Sequence, residues 1–174
     1  PMRAAARFVE HHLAEEKDWR TAQEGLEVKR VASPDGLEVF LLARHGRVTV
    51  EDIVSGPGLT RIHAFLGGHE QPPEAIGQAA LNSNDPLARE ALRLWLECYG
   101  AFAGDLAMHW LARGGVYLAG GLAAKLLPHV DTGPFIKAFL AKREHCELVA
   151  TMPVHALTSE DLGLFGTLAH AATL

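Results

Sequence analysis

The stretch Gly114-Gly115-Val116-Tyr117-Leu118-Ala119-Gly120-Gly121-Leu122-Ala123-Ala124-Lys125 constrains the fold most. A short apolar run ends in paired glycines, and helix-forming residues follow at once. This predicts a buried strand, a tight turn and a helix N-terminus. Glycine lets backbone come close to a ligand, and the unpaired N–H groups of a helix start suit anionic or polar groups. Paired glycines after a strand are also plain turn chemistry. Both readings stay open on this stretch alone.

The chain around it supplies helices. Asn84-Asp85-Pro86 predicts a helix start, with Asp85 as cap and Pro86 in the first helical position. Leu92, Trp95, Tyr99, Phe102, Leu106 and Trp110 follow at spacings of three and four, and Leu94 and Cys98 widen the stripe. That is the pattern of a core helix, with the aromatics as packing residues. Gly100 and Gly104 lie four apart on it and would admit another element closely. Beyond the glycine turn, Pro128 breaks the chain, and Thr132 to Lys142 reads as an amphipathic helix with Phe135, Ile136 and Phe139 on one side. Pro153 to Leu157 is a second strand, with His155 as a strand-face side chain, and Thr167 to Thr173 is a closing helix. Strand, helix, helix, strand, helix is the order of an α/β layered domain, where ligands sit at the carboxyl ends of the strands.

Upstream, Met2 to Glu16 is rich in helix formers, with His11-His12 as a surface pair. Trp19 to Ala32 reads as one or two strands, with Leu26 and Val28 as apolar positions. Ser33-Pro34-Asp35 predicts a helix carrying Leu37, Phe40 and Leu41 and stopping at Gly46; a hairpin turn at Pro34-Asp35-Gly36 competes with it. Thr49 caps a short helix containing Glu51, Ile53 and Val54. Ser55-Gly56-Pro57-Gly58-Leu59 separates it from a helix reaching Leu66. Gly67-Gly68 ends that helix, and Pro72-Pro73 opens another through Ala80 or Leu81.

The 174 residues suit one domain, and 48% hydrophobic residues suffice for a substantial core. A net charge of -5 without any Lys/Arg block argues against nucleic acid or an anionic membrane surface as partner. No apolar run approaches the roughly 18 residues of a membrane span. Pro1 to Lys17 lacks the apolar centre of a signal peptide. Cys98 and Cys146 have no metal or redox spacing, so free thiols of a cytoplasmic protein are expected and no metal site is assigned.

Several pieces occur in one order. Glu24-Gly25 precedes the Ser-Pro-capped helix, and Glu51 stands four residues before Ser55-Gly56-Pro57-Gly58-Leu59. The long aromatic helix feeds Gly114 to Gly121, and Asp161-Leu162-Gly163-Leu164-Phe165-Gly166 leads into the last helix. From about Trp19 to the end, this order resembles the C-terminal large domain of bacterial glucokinases, of the actin-like ATPase superfamily. The resemblance implies a ribonuclease H-like α/β domain, with a mixed sheet flanked by helices. It implies ATP-dependent phosphorylation of glucose, or a related hexose, at the 6-hydroxyl, with ATP and Mg as cofactors. Acidic side chains of the large domain hold the sugar, since an ionised carboxylate accepts from two hydroxyl donors. The family's Glu-Gly-Gly-His motif falls on Glu24-Gly25-Leu26-Glu27, matching at Glu24 and Gly25 only. The second sugar-binding acid falls on Glu51, and the adenine side of the nucleotide site on Gly120 and Gly121.

The departures matter as much. These residues contain no Asp-x-Gly-Gly-Thr phosphate loop and no Gly-Thr-Gly-Leu-Gly loop before Trp19. Asn84-Asp85 is adjacent like the family's catalytic Asn-Asp pair, but it stands after the sugar motif, at a helix cap. The expectation is a single glucokinase-like C-terminal domain over 1–174, with 1–18 remodelled, the small N-terminal domain absent and no catalytic residue in the chain. Phosphoryl transfer needs positioning, charge stabilisation and a base, so such a chain is expected to be inactive alone. The competing expectation is a non-catalytic sugar-binding or interaction module. The family commonly pairs through its large domains, which implies a homodimer.

Overall fold

The structure is a computed structural model that describes residues 36–82, 85–159 and 161–173. The strands expected within 19–32 lie outside the described residues, as do His11-His12 and the Ser33-Pro34-Asp35 start. Helices α1 (Leu37–His45), α2 (Val50–Ile53), α3 (Gly56–Phe65) and α4 (Pro73–Asn82) lead to the 25-residue α5 (Pro86–Trp110). Then come β1 (Val116–Leu118), α6 (Gly121–Leu126), α7 (Gly133–Leu140), α8 (Cys146–Ala150), β2 (Val154–Ala156) and α9 (Leu162–Ala171).

Leu37, Phe40 and Leu41 form the buried stripe of α1, and the Phe40 ring meets Phe65 of α3 edge-on at 5.4 Å. Gly46 ends the helix in the left-handed region at φ 67, its N–H donating to the Leu42 carbonyl at 2.8 Å. The helical reading of this segment therefore holds over the hairpin. Gly56-Pro57-Gly58, expected as a break between helices, is instead the first turn of α3. The Ser55 hydroxyl accepts from the Gly58 N–H at 2.9 Å, and proline is tolerated so early in a helix. Gly58 is also where α3 closes on the preceding turn: a Cβ there would overlap the Ile53 carbonyl.

The Asp85 carboxylate starts α5 as expected, accepting from the Leu87 and Ala88 N–H groups at 2.9 and 3.1 Å. Its stripe differs from the expected one. Leu92, Leu94 and Trp95 are buried, but the aromatic line does not continue inward, and Trp110 at its end is 74% exposed. The buried face of the second half is Gly100, Ala101, Ala103, Gly104 and Ala107. Small side chains are needed there because α7 crosses against the α5 backbone. A Cβ on Gly100 would overlap the Phe135 carbonyl, and one on Gly104 the Phe139 carbonyl. The expected close approach at the two glycines is therefore the central packing of the fold.

Phe135 and Phe139 stack at 6.1 Å on the buried face of α7, and Tyr99 meets Phe135 edge-on at 5.6 Å. Ile136, expected beside them, is exposed, since one residue turns a helix by a little over a quarter of its circumference. Lys142 secures the far end of α7, its buried Nζ donating to the Ala101 carbonyl at 2.8 Å and to Asp105 Oδ1 at 2.6 Å.

Among the described residues β1 and β2 form a two-stranded parallel sheet, with Val116, Tyr117 and Leu118 opposite Val154, His155 and Ala156. Of β1 only Leu118 is buried; Tyr117 is 59% exposed and stacks on His155 at 5.0 Å. β1 is thus less enclosed than the sequence suggested. The last helix starts at Leu162 rather than Thr167, taking in Gly163 and Gly166, and Leu164, Phe165 and Leu168 are exposed on it.

Alanine favours a helix over glycine by about 1 kcal/mol when nothing obstructs it. Gly100→Ala and Gly104→Ala should each do the reverse, lowering unfolding free energy by about 2 kcal/mol or more through overpacking against backbone. Gly114→Ala, at an exposed site with nothing within 4 Å of the added Cβ, should stay within about 0.5 kcal/mol of wild type. Urea denaturation checks all three, and a stabilised Gly100→Ala protein would contradict the packing described.

Candidate functional site

Glu51 stands on α2, a helix of four residues. A single turn has no stability of its own, so its conformation must come from its surroundings. Asp52 supplies the first hold: its Oδ2 accepts from the Thr49 N–H at 2.9 Å and from the Thr49 hydroxyl at 2.7 Å. The Asp52 N–H returns a bond to the Thr49 carbonyl at 3.1 Å. Arg61 of α3 then clasps the turn, donating to the Asp52 carbonyl at 3.1 Å with its guanidinium 3.6 Å from Oδ1. The hydroxyl and backbone N–H of Thr49 hold the Asp52 carboxyl below its ordinary value of 3.8, burial opposes them, and Arg61 and His45 add to the lowering.

The second hold is Ser55. Its hydroxyl donates to the Glu51 carbonyl at 2.6 Å while accepting from Gly58. Its own carbonyl accepts from the indole N–H of Trp95 at 3.1 Å. Both holds act on backbone and on neighbours of Glu51, and leave its side chain exposed. The result is a carboxylate presented to solvent from a fixed turn, an arrangement suited to orienting hydroxyl donors.

Gly120 lies just past the carboxyl end of β1 as the N-cap of α6, and Gly121 is the first residue of that helix. Gly120 has φ 117 and ψ 155, a conformation that only glycine adopts readily. Both are exposed, a Cβ on either would meet nothing within 4 Å, and α6 has no side-chain cap. The backbone here is open to a flat or polar ligand group. Glu51 is carried by α2 against α3 and α5, whereas Gly120-Gly121 heads α6, whose Leu126 packs on Gly77 of α4. Glu24, the other sugar-binding candidate, lies outside the described residues.

Sequence reading found Thr49 as a cap but missed Asp52, Arg61 and Trp95, and Ser55 as a hold on Glu51. Trp95 was legible as packing, but not as a donor to Ser55. The spacing of Thr49 and Asp52 does carry the capping-box signal that could have found their pairing. His63, also missed, is buried in α3 with Nδ1 3.0 Å from the His69 carbonyl, a distance at which the ring N–H donates. Its ring lies where a side chain on Gly68 would have to go. Burial, helped by the Glu97 charge, pushes the Cys98 thiol up to about 12, whereas Cys146 is exposed. Among the described residues there is no cluster of three or more His, Cys, Asp or Glu that could hold a metal ion. A surface depression of about 380 Å³ on α5 is lined by Pro86, Arg89, Glu90 and Arg93, none of them a site residue expected from the sequence.

The glucokinase family model matches residues 23–174. A curated glucokinase of Mesorhizobium japonicum is 40% identical over 147 residues, covering 80% of this chain and 43% of that protein. One from a Nostoc species is 35% identical over 163 residues, covering 78% of this chain and 48% of its own. The chain thus spans about half, or less, of the length of these relatives. A crystal structure of glucokinase from an Antarctic psychrotroph superposes with a TM-score of 0.71 at 22% identity, over 86% of this chain and 48% of that one. At that identity the superposition establishes shared fold.

The holds on α2 have a pH signature. With the folded-state pKa of Asp52 below 3.8, its carboxylate contributes fully above that value, and the contribution fades as pH falls through the folded-state pKa. Asp52→Asn should cost about 1 kcal/mol near pH 6, the scale of a lost cap. That difference from wild type should begin to shrink below about pH 4, where the unfolded chain binds a proton, and should be lost once pH falls through the lowered folded-state pKa. Denaturant titrations at several pH values check it; a difference that grows on acidification would contradict the assignment. A thiol reagent at neutral pH should modify Cys146 in the native protein and leave Cys98 until unfolding.

Proposed function

The chain belongs to the glucokinase family, and on that premise we propose that these residues form the sugar-holding part of an ATP-dependent glucose kinase. The observation that carries the reading is the exposed side chain of Glu51 on a backbone turn held by Asp52, Arg61 and Ser55, at the position that matches the family's second sugar-binding acid. Glu51 accepts hydrogen bonds from two sugar hydroxyls, and Glu24 adds a second acceptor from the Glu24-Gly25 motif. Glu27 stands where the family has histidine, so the motif carries an acid in place of a neutral donor–acceptor.

The reading extends to the domain. Residues 1–174 are a single ribonuclease H-like large domain, of which β1, β2 and the packed helices are part, and the shared fold with the psychrotroph enzyme supports this. The bare, exposed backbone of Gly120-Gly121 fits one side of a nucleotide, and these two residues would hold its adenine end. ATP bound with Mg supplies the phosphoryl group. What the chain's own residues contribute is sugar orientation, which converts a random encounter into a reaction between aligned groups. The phosphate loop and the catalytic Asn-Asp pair do not occur in this sequence, so a polypeptide of these residues alone forms no glucose 6-phosphate. ATP and glucose as reactants assign it to the cytoplasm. Pairing of two copies through this domain belongs to the same reading, with neither nucleic acid nor membrane as partner. Among the described residues no helix is long and apolar enough to cross a membrane.

Calorimetry of the purified chain with glucose tests the proposal. Binding should be measurable and should weaken about 10- to 100-fold in Glu51→Gln, the scale of a hydrogen bond to a charged group. Absence of glucose binding, or equal binding by the variant, would overturn the sugar-holding role. Glucose 6-phosphate formation by the chain with Mg-ATP would overturn its inactivity.

A further inference from the structure

A four-residue helix carries the proposed sugar ligand, and the group that fixes it lies in the core. Trp95 is 2% exposed within α5, beside Tyr99 at 5.2 Å. Its indole has one donor and no acceptor, and a buried N–H of this kind needs a partner. That partner is the Ser55 carbonyl, 3.1 Å away and 40 positions earlier in the chain.

The Ser55 carbonyl also accepts from the Leu59 N–H at 3.1 Å, so two donors from different directions set its orientation. The Ser55 hydroxyl has one hydrogen. It accepts from the Gly58 N–H, and that single hydrogen goes to the Glu51 carbonyl at 2.6 Å. The chain of bonds therefore runs from the indole, through the Ser55 residue, to the backbone of Glu51. Phenylalanine or leucine at position 95 would also fill the core, but neither supplies a donor.

We propose that Trp95 is a positioning residue for the Glu51 carboxylate, acting through Ser55. The proposal rests on the reading of Glu51 as a sugar ligand. Hydrogen bonds to a sugar weaken steeply with misalignment, so a turn that rocks by a fraction of an ångström holds glucose less well. A tryptophan that served packing alone would alter melting temperature and leave glucose affinity untouched at temperatures where the protein is folded.

The test is glucose calorimetry on the purified chain as wild type, E51Q, W95F, S55A and S55T. Far-UV circular dichroism fixes a temperature at which each is folded. W95F deletes the donor and keeps an aromatic ring, whereas S55T keeps the hydroxyl that S55A removes. W95F and S55A should weaken glucose binding about three- to tenfold, the range of one neutral hydrogen bond, and S55T should restore it to within about twofold. S55A and S55T test the Ser55 link to Glu51; should W95F fail to fold, benzothienylalanine at position 95, which keeps the bicyclic shape and has no N–H donor, takes its place with the same expected weakening, and wild-type affinity in it would overturn the role of the indole. Wild-type affinity in folded W95F or in S55A, or S55T binding as weakly as S55A, would overturn the positioning role. Glucose binding that E51Q leaves unchanged, or none by the wild type, would overturn the underlying sugar reading and the positioning role with it.

Discussion

Backbone lying on backbone where α7 crosses α5 is the constraint on which the rest of the structure depends. Only glycine at positions 100 and 104 lets the Phe135 and Phe139 carbonyls come so near. The close approach seats Phe135 and Phe139 in the core and brings Lys142 within reach of Asp105 and the Ala101 carbonyl. It costs helix propensity in the middle of α5, and packing offsets that cost. The opposite end of the same helix has the complementary composition. There Leu92, Leu94 and Trp95 are buried, and the indole reaches the Ser55 peptide. One helix thus organises two junctions, a tight one built from glycine and a filled one built from tryptophan.

The filled junction is where fold becomes site. α2 is too short to hold itself, so the direction of Glu51 is inherited from Asp52, Arg61 and Ser55. These holds are hydrogen bonds to backbone and to neighbours, and they leave the carboxylate of Glu51 for a ligand. Gly120 and Gly121 offer the opposite kind of surface, bare backbone with no side chain in the way. On the reading proposed above, the carboxylate serves sugar hydroxyls and the open backbone serves a nucleotide. An Asp-x-Gly-Gly-Thr phosphate loop does not occur in these residues.

Much of this was legible in the sequence. The cap at Asp85, the stop at Gly46, the short helix after Thr49, and the strand and turn at Gly114–Gly121 follow from local chemistry, and local chemistry is what a sequence displays. The glycine pair in α5 announced a close approach, though not that α7 would make it. Three readings failed for reasons that are not local. The inner face of α5 changed from aromatic to small because of its partner. Gly56-Pro57-Gly58 became a helix start because Ser55 and the Ile53 carbonyl close on it. Ile136 faced outward because the two phenylalanines at four-residue spacing define the buried side. The bond from Trp95 to Ser55 spans 40 positions, and no spacing rule reaches that far. Family order, not residue pattern, singled out Glu51 from other surface acids.

The central claim is that glucose binds against the α2 turn through Glu51. Amide chemical shifts of the isotopically labelled chain, followed by NMR during a glucose titration, test it most directly. The account predicts saturable shifts concentrated at residues 49–59, with smaller ones along the Trp95 turn of α5. Shifts confined to other surfaces, such as the depression at Pro86, Arg89, Glu90 and Arg93, or no saturable shifts at all, would contradict it.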